Sequence, residues 1–173
     1  MRGVAADITS SKNAEARISH MALNDALTGL PNRTSFNERI DHELTRAEIS
    51  GGKVALVAID LDRFKEINDL RGHGAGDEVL RTLAQRMHAA LKEGEFLARI
   101  GGDEFSAVQR FHDRAALEDM LARLEAALAE AIWLDEYEVL PGASIGVAIY
   151  PDDARNRTGV NGGAKVGHWA AQK

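Results

Sequence analysis

Midway through its first half the chain carries Lys53-Val54-Ala55-Leu56-Val57-Ala58-Ile59-Asp60, a nearly unbroken apolar run that stops on a carboxylate. A run without polar alternation has no face to offer water, so it predicts a central strand covered on both sides. That requirement sets the class of fold, a sheet with helices packed against it. The helix expected before the run follows the turn-rich segment Asp25-Ala26-Leu27-Thr28-Gly29-Leu30-Pro31-Asn32-Arg33, with Asn32 as its N-cap. Its inward positions are Phe36, Ile40, Leu44 and Ala47. Asp25, Thr28 and Asn32 are read as structural. After the run, Asp62 is the expected cap of a helix through Phe64, Lys65 and Asn68. A strand that passes straight into a helix points free N–H groups beyond Asp60, a natural phosphate site. Lys65 is then either a charge-assisted contact to that site or a solvated surface lysine.

Leu70-Arg71-Gly72-His73-Gly74-Ala75-Gly76-Asp77 reads as a glycine loop, with Asp77 capping a long helix that buries Val79, Leu80, Leu83, Met87 and Leu91. The loop either is simply structural or lets a ligand approach the backbone. Downstream, Arg99-Ile100-Gly101-Gly102-Asp103-Glu104-Phe105 predicts a hairpin whose central glycines both take φ > 0, leaving Asp103 and Glu104 at a strand end. The acids Asp60 and Asp103, far apart in sequence, are expected to meet around a metal ion. An amphipathic helix over Arg114–Ala131 follows, with Leu117, Met120, Leu121, Leu124 and Leu128 inward. Tyr137–Leu140 and Ala143–Tyr150 read as two strands turned at Pro141-Gly142. Mixed order with an antiparallel centre indicates an α+β sandwich.

Residues 1–24 read as a connecting arm, with one narrow stripe of Ile18, Met21 and Ala22 that needs another helix, in a coiled coil or on the main body. Residues 155–173 lack apolar periodicity and read as loop or disorder. The formal charge of −6 gives no general attraction to nucleic acid or to an anionic membrane. An anionic substrate would need local help from a metal or from helix N-termini. With no cysteine, disulfides, zinc–thiolate sites and thiol nucleophiles are excluded. The longest apolar run is far too short to span a bilayer, and the N-terminus has no signal-peptide core. Cytoplasmic residence, no nucleic-acid partner and no direct membrane insertion are expected.

Five stretches together resemble the GGDEF family of diguanylate cyclases: Asp25–Arg33, Asp60–Asn68, Gly72–Asp77, Arg99–Phe105 and Ser144-Ile145-Gly146-Val147-Ala148. The resemblance covers about residues 21 to 152 and implies a fold similar to the palm of polymerases and to class III nucleotide cyclases. It implies condensation of two GTP into cyclic di-GMP, with a GGDEF domain over residues 25–154. Asp60, the Leu61 carbonyl and Asp103 would hold Mg²⁺ or Mn²⁺, two ions per half-site, and Asp103 would also accept a proton. Asn68 and Asp77 would read guanine with His73 nearby, while Phe64 and Lys65 would contact the phosphates. Each subunit would bind one GTP, so catalysis implies a homodimer. Asp7-Ile8-Thr9 with Lys12 and Ala14-Glu15 looks like the end of a PAS sensor running into a signalling helix.

The sequence departs from the family pattern twice. Lys92 and Glu95 stand where product-inhibited members carry Arg-x-x-Asp, and lysine lacks the planar fork of arginine. Residues 155–173 do not reproduce the family's basic C-terminal helix. An active cyclase and a non-catalytic module that binds GTP or dimerises to regulate a neighbouring domain are therefore both carried forward.

Overall fold

The structure, a computed structural model, describes residues 12–18 and 22–153. In chain order the elements are α1 (Arg33–Ser50), β1 (Lys53–Leu61), α2 (Phe64–Arg71), α3 (His73–Ala90) and β2 (Glu95–Gly101). They continue with β3 (Glu104–Phe111), α4 (Arg114–Ala129), β4 (Ile132–Leu134), β5 (Tyr137–Val139) and β6 (Ala143–Tyr150). The main sheet has the order β2-β3-β1-β6 and is antiparallel at every pairing. The α+β reading holds.

β1 is buried on both faces, as its composition requires. Ala55, Val57, Ile59 and Leu61 join one core with Leu80, Leu83 and Met87 of α3 and Leu117, Met120, Leu121 and Leu124 of α4. Val54 and Leu56 join the other, with Phe36, Ile40, Leu44 and Ala47 of α1. Each fully buried aliphatic side chain contributes about 1.5–3 kcal/mol. Asn32 caps α1 by accepting from the Ser35 N–H at 3.2 Å, and Asp113 caps α4 by accepting from the Ala115 N–H at 3.1 Å. α1 lies chiefly over β2 and β3. It is anchored there by Glu43, 3% exposed, between Arg39 of its own helix at 3.0 Å and Arg110 of β3 at 3.6 Å.

Four local expectations are corrected. Tyr137–Val139 does not pair with Ala143–Tyr150 through Pro141-Gly142; it pairs with Ile132–Leu134 in a separate ribbon, while β6 joins β1. The ribbon turns at Asp135, which adopts a left-handed φ of 53°, a conformation aspartate tolerates. The glycine segment is helical from His73, so Asp77 lies inside α3 and does not cap it. The Asp62 side chain does not cap α2 either. It accepts from the Ser144 hydroxyl at 2.7 Å, and the N-cap of α2 is Arg63 with φ 53°. Finally, the hairpin turns at Gly102-Asp103, because a register shift between Arg99 and Gly101 brings Gly101 opposite Glu104.

Residues 12–18 are helical and exposed, Ile18 included. Met21, Asp7-Ile8-Thr9 and the segment 155–173 lie outside the described residues.

Candidate active site

β1 meets its two neighbours in register at its C-terminal end. Asp60 is opposite Glu104 of β3 on one side and Ser144 of β6 on the other. Directly opposed residues point to the same face of a sheet, so these three side chains form one row. The next row is Ser106, Ala58 and Gly146, and the one after is Val108, Leu56 and Ala148. Small residues in the second row, together with the lateral position of α1, leave a cavity of about 300 Å³ on this face. Its lining includes Asp60, Glu104 and Ser144 at one end and Arg33 and Asn37 of α1 beside it.

Like charges directly across an antiparallel pair are destabilising unless a counter-ion accompanies them. Asp60 and Glu104 therefore make a hard, anionic donor pair at the mouth of a cavity. Among the described residues no group of three or more His, Cys, Asp or Glu is clustered for a metal. Two carboxylates nevertheless fit Mg²⁺, which takes one or two from the protein and completes its shell with water and substrate phosphate.

Asp103 occupies the turn, not the strand end, and is half-buried. Its carbonyl accepts from the Leu61 N–H at 3.2 Å, which ties the exit of β1 to the hairpin. On the other side the Asp62 N–H donates to the Gly142 carbonyl at 2.8 Å. The carboxylate aligned with Asp60 is Glu104, to which sequence reasoning gave no role. Only strand pairing exposes this: the unbroken register of β1 on β3 sets Asp60 against Glu104.

The remaining expected residues gather at the corner of α2 and α3. Gly76 is buried there, and a Cβ on it would lie 1.9 Å from Asn68 Oδ1 and 3.1 Å from Phe64 Cζ. Only glycine allows the two helices this approach. Asn68 and Asp77 are half-buried, whereas His73 and Lys65 are exposed. Of the expected site residues only Asp60 lines the cavity; Leu61, Phe64, Lys65, Asn68, His73, Asp77 and Asp103 are not among its lining residues.

A family model described as diguanylate cyclase, GGDEF domain, matches residues 22–162. The chain belongs to the GGDEF family. Diguanylate cyclase DgcP of Pseudomonas aeruginosa is 41% identical over 124 residues, covering 68% of this chain and 18% of that protein. Cyclic di-GMP phosphodiesterase PdeR of Escherichia coli is 36% identical over 154 residues, covering 89% of this chain and 23% of that protein. The chain thus spans about a fifth of the length of these curated relatives. Among solved structures, a sensory box/GGDEF family protein from Caulobacter crescentus superposes with a TM-score of 0.79 at 40% identity, covering 85% of this chain and 96% of that one.

In this GGDEF domain the turn is also held from the N-terminal side. The Arg99 guanidinium donates to the Gly102 carbonyl at 2.8 and 3.1 Å and to the Asp25 carboxylate at 2.9 and 3.1 Å. Asp25 accepts in addition from the Thr28 N–H and hydroxyl, both at 2.8 Å. Burial alone would push the Asp25 carboxyl up. The hydrogen bonds from Thr28 and Arg99 and the charge of Arg99 outweigh it and hold the group below its ordinary value of 3.8. A depressed carboxyl stabilises the fold above its unfolded pKa, and that contribution is lost as pH falls through the folded value. Asp25→Ala is therefore expected to cost about 2 kcal/mol near neutral pH. The gap to the parent protein should close in denaturation curves taken well below 3.8.

The departure at Lys92 and Glu95 has a structural counterpart in the same GGDEF domain. The Glu95 side chain, 2% exposed, is ion-paired with Arg123 of α4, and Lys92 reaches Asp119 at 2.9 Å. Arg123 also contacts Asp119 at 3.0 Å. Glu95 ties β2 to α4, and Lys92 ties the connection before β2 to the same helix. No helix among the described residues is long and apolar enough to cross a membrane.

Proposed function

We propose that this GGDEF domain is a diguanylate cyclase that condenses two GTP into cyclic di-GMP and two pyrophosphates. The observation that carries the reading is the pair of opposed carboxylates, Asp60 and Glu104, at the cavity mouth. Asp60, the Leu61 carbonyl and Asp103, joined by Glu104, would hold Mg²⁺ or Mn²⁺, two ions per half-site. When bound, the metal lowers the pKa of the ribose 3′-hydroxyl and neutralises charge on the α-phosphate.

The chain's own groups bind and orient the nucleotide. Asp77 accepts from the guanine N1–H and N2–H, and the Asn68 amide N–H donates to a ring acceptor, O6 or N3. His73 borders the base, and Phe64 and Lys65 meet the phosphates. Asp103 takes the hydroxyl proton as the 3′-oxygen bonds to the α-phosphorus and pyrophosphate leaves. One GTP per subunit makes the reaction a matter of bringing two half-sites of a homodimer together. Residues 25–154 would be the catalytic unit in the cytoplasm, where GTP is available. Residues 1–24 would carry the signal of an upstream sensor.

A second reading is favoured by the similarity to a phosphodiesterase, 36% identical, of which this chain spans 23%. There the domain would bind GTP or dimerise to regulate an adjacent domain without turnover. Incubation with GTP and Mg²⁺, followed by chromatography of the products, separates the two. Cyclic di-GMP is expected under the first reading; bound GTP without product establishes the second. Asp77→Ala should reduce discrimination of GTP from ATP about tenfold, as a charged hydrogen-bond acceptor is lost. Unchanged selectivity in competition binding would remove Asp77 from the guanine site.

A further inference from the structure

We propose that Arg33 and Asn37, on the first turns of α1, form a phosphate-binding wall of the nucleotide site, in the same cavity that the carboxylate row lines. The proposal rests on the GTP-binding reading above and adds to it residues that reading does not use. Four residues apart, the two side chains share one face of α1, and both line the cavity that Asp60 and Glu104 also line. A nucleotide held at the carboxylates through a divalent ion therefore has this face of α1 as its other boundary.

Charge argues for the same assignment. The net charge of −6 includes the two carboxylates of the cavity, so a triphosphate there needs local cations, and Lys65, assigned to the phosphates above, does not line this cavity. The other arginines on this side are already engaged. Arg99 holds Asp25 and Gly102, Arg110 faces Glu43 at 3.6 Å, and Arg39 sits by Glu43 and over the Phe96 ring at 5.3 Å. Arg33 is exposed and has no ion pair among the described residues. Its planar fork matches two phosphate oxygens, and the Asn37 amide supplies a neutral donor beside it.

The wall is fixed in place. Asn32 Nδ2 donates to the Ala22 carbonyl at 2.9 Å, the Ser35 hydroxyl to the Leu23 carbonyl at 2.6 Å, and Phe36 stacks on Phe96 with centroids 6.4 Å apart. An arginine presented by a capped and anchored helix loses less freedom on binding than one on a loop.

The test is a pair of dissociation constants, for Mg²⁺–GTP and for guanosine, measured by calorimetry on the full chain. Arg33→Gln should weaken Mg²⁺–GTP about tenfold and leave guanosine unchanged, with Arg33→Lys recovering part of the loss. Asn37→Ala should weaken Mg²⁺–GTP about threefold, as for one neutral hydrogen bond. The nucleotide-free thermal midpoint should stay that of the parent, since Arg33 is exposed and unpaired among the described residues. Unchanged Mg²⁺–GTP affinity in Arg33→Gln, an equal loss for guanosine, or a parent that binds no Mg²⁺–GTP each overturns the proposal. A parent that binds Mg²⁺–GTP but forms no cyclic di-GMP overturns the cyclase reading alone, because the phosphate wall is read from affinities.

Discussion

Converting Glu104 to glutamine should lower cyclic di-GMP formation about a hundredfold or more, the scale of losing one electrostatic group at a reacting centre. The same substitution should leave the thermal midpoint unchanged or slightly higher. Both halves of the prediction come from one contact, since Glu104 is directly opposed to Asp60 across β1 and β3. Opposed like charges cost up to about 1 kcal/mol, so removing one would relieve the folded state while, on the cyclase reading, it would take a ligand from the metal. Asp60→Asn should match it in turnover. Mg²⁺-dependent product formation and a melting curve on each variant check the pair of effects. Full activity in Glu104→Gln would return the metal to Asp60 and the turn residue Asp103 alone.

Gly76→Ala is expected to weaken GTP binding by at least about tenfold, although residue 76 itself would touch no ligand. Alanine normally gains about 1 kcal/mol over glycine within a helix. Here its Cβ would overlap Asn68 Oδ1 at 1.9 Å, with Phe64 Cζ behind at 3.1 Å. The asparagine amide must leave its position, and the helix-propensity gain offsets part of the crowding. The stability change should therefore be modest and the affinity change large. Guanosine titration together with thermal denaturation tests this. An intact affinity would show that Asn68 does not read the base.

Much of the scaffold was legible in the chain because periodicity reports burial. The unbroken run at Val54–Ile59, the α1 stripe and the α4 stripe all lie where their patterns put them. Three-residue strands such as Ile132–Leu134 carry no period to read. The Gly101-Gly102 pair admits two turn registers, and only the bulge decides between them. Glycines at 74 and 76 disguised the first turns of α3, where close packing on α2, not loop formation, explains the second of them. The site follows the same division. Asp60 was visible as the acid ending a strand, whereas Glu104, Arg33 and Asn37 became visible only when pairing and helix placement brought them to one cavity.

The Arg99 guanidinium grips the Asp25 carboxylate and the Gly102 carbonyl at once. One side chain thereby joins the segment that follows Ala22 to the acidic turn through hydrogen bonds at the surface of the sheet end, without an intermediary from the apolar layers.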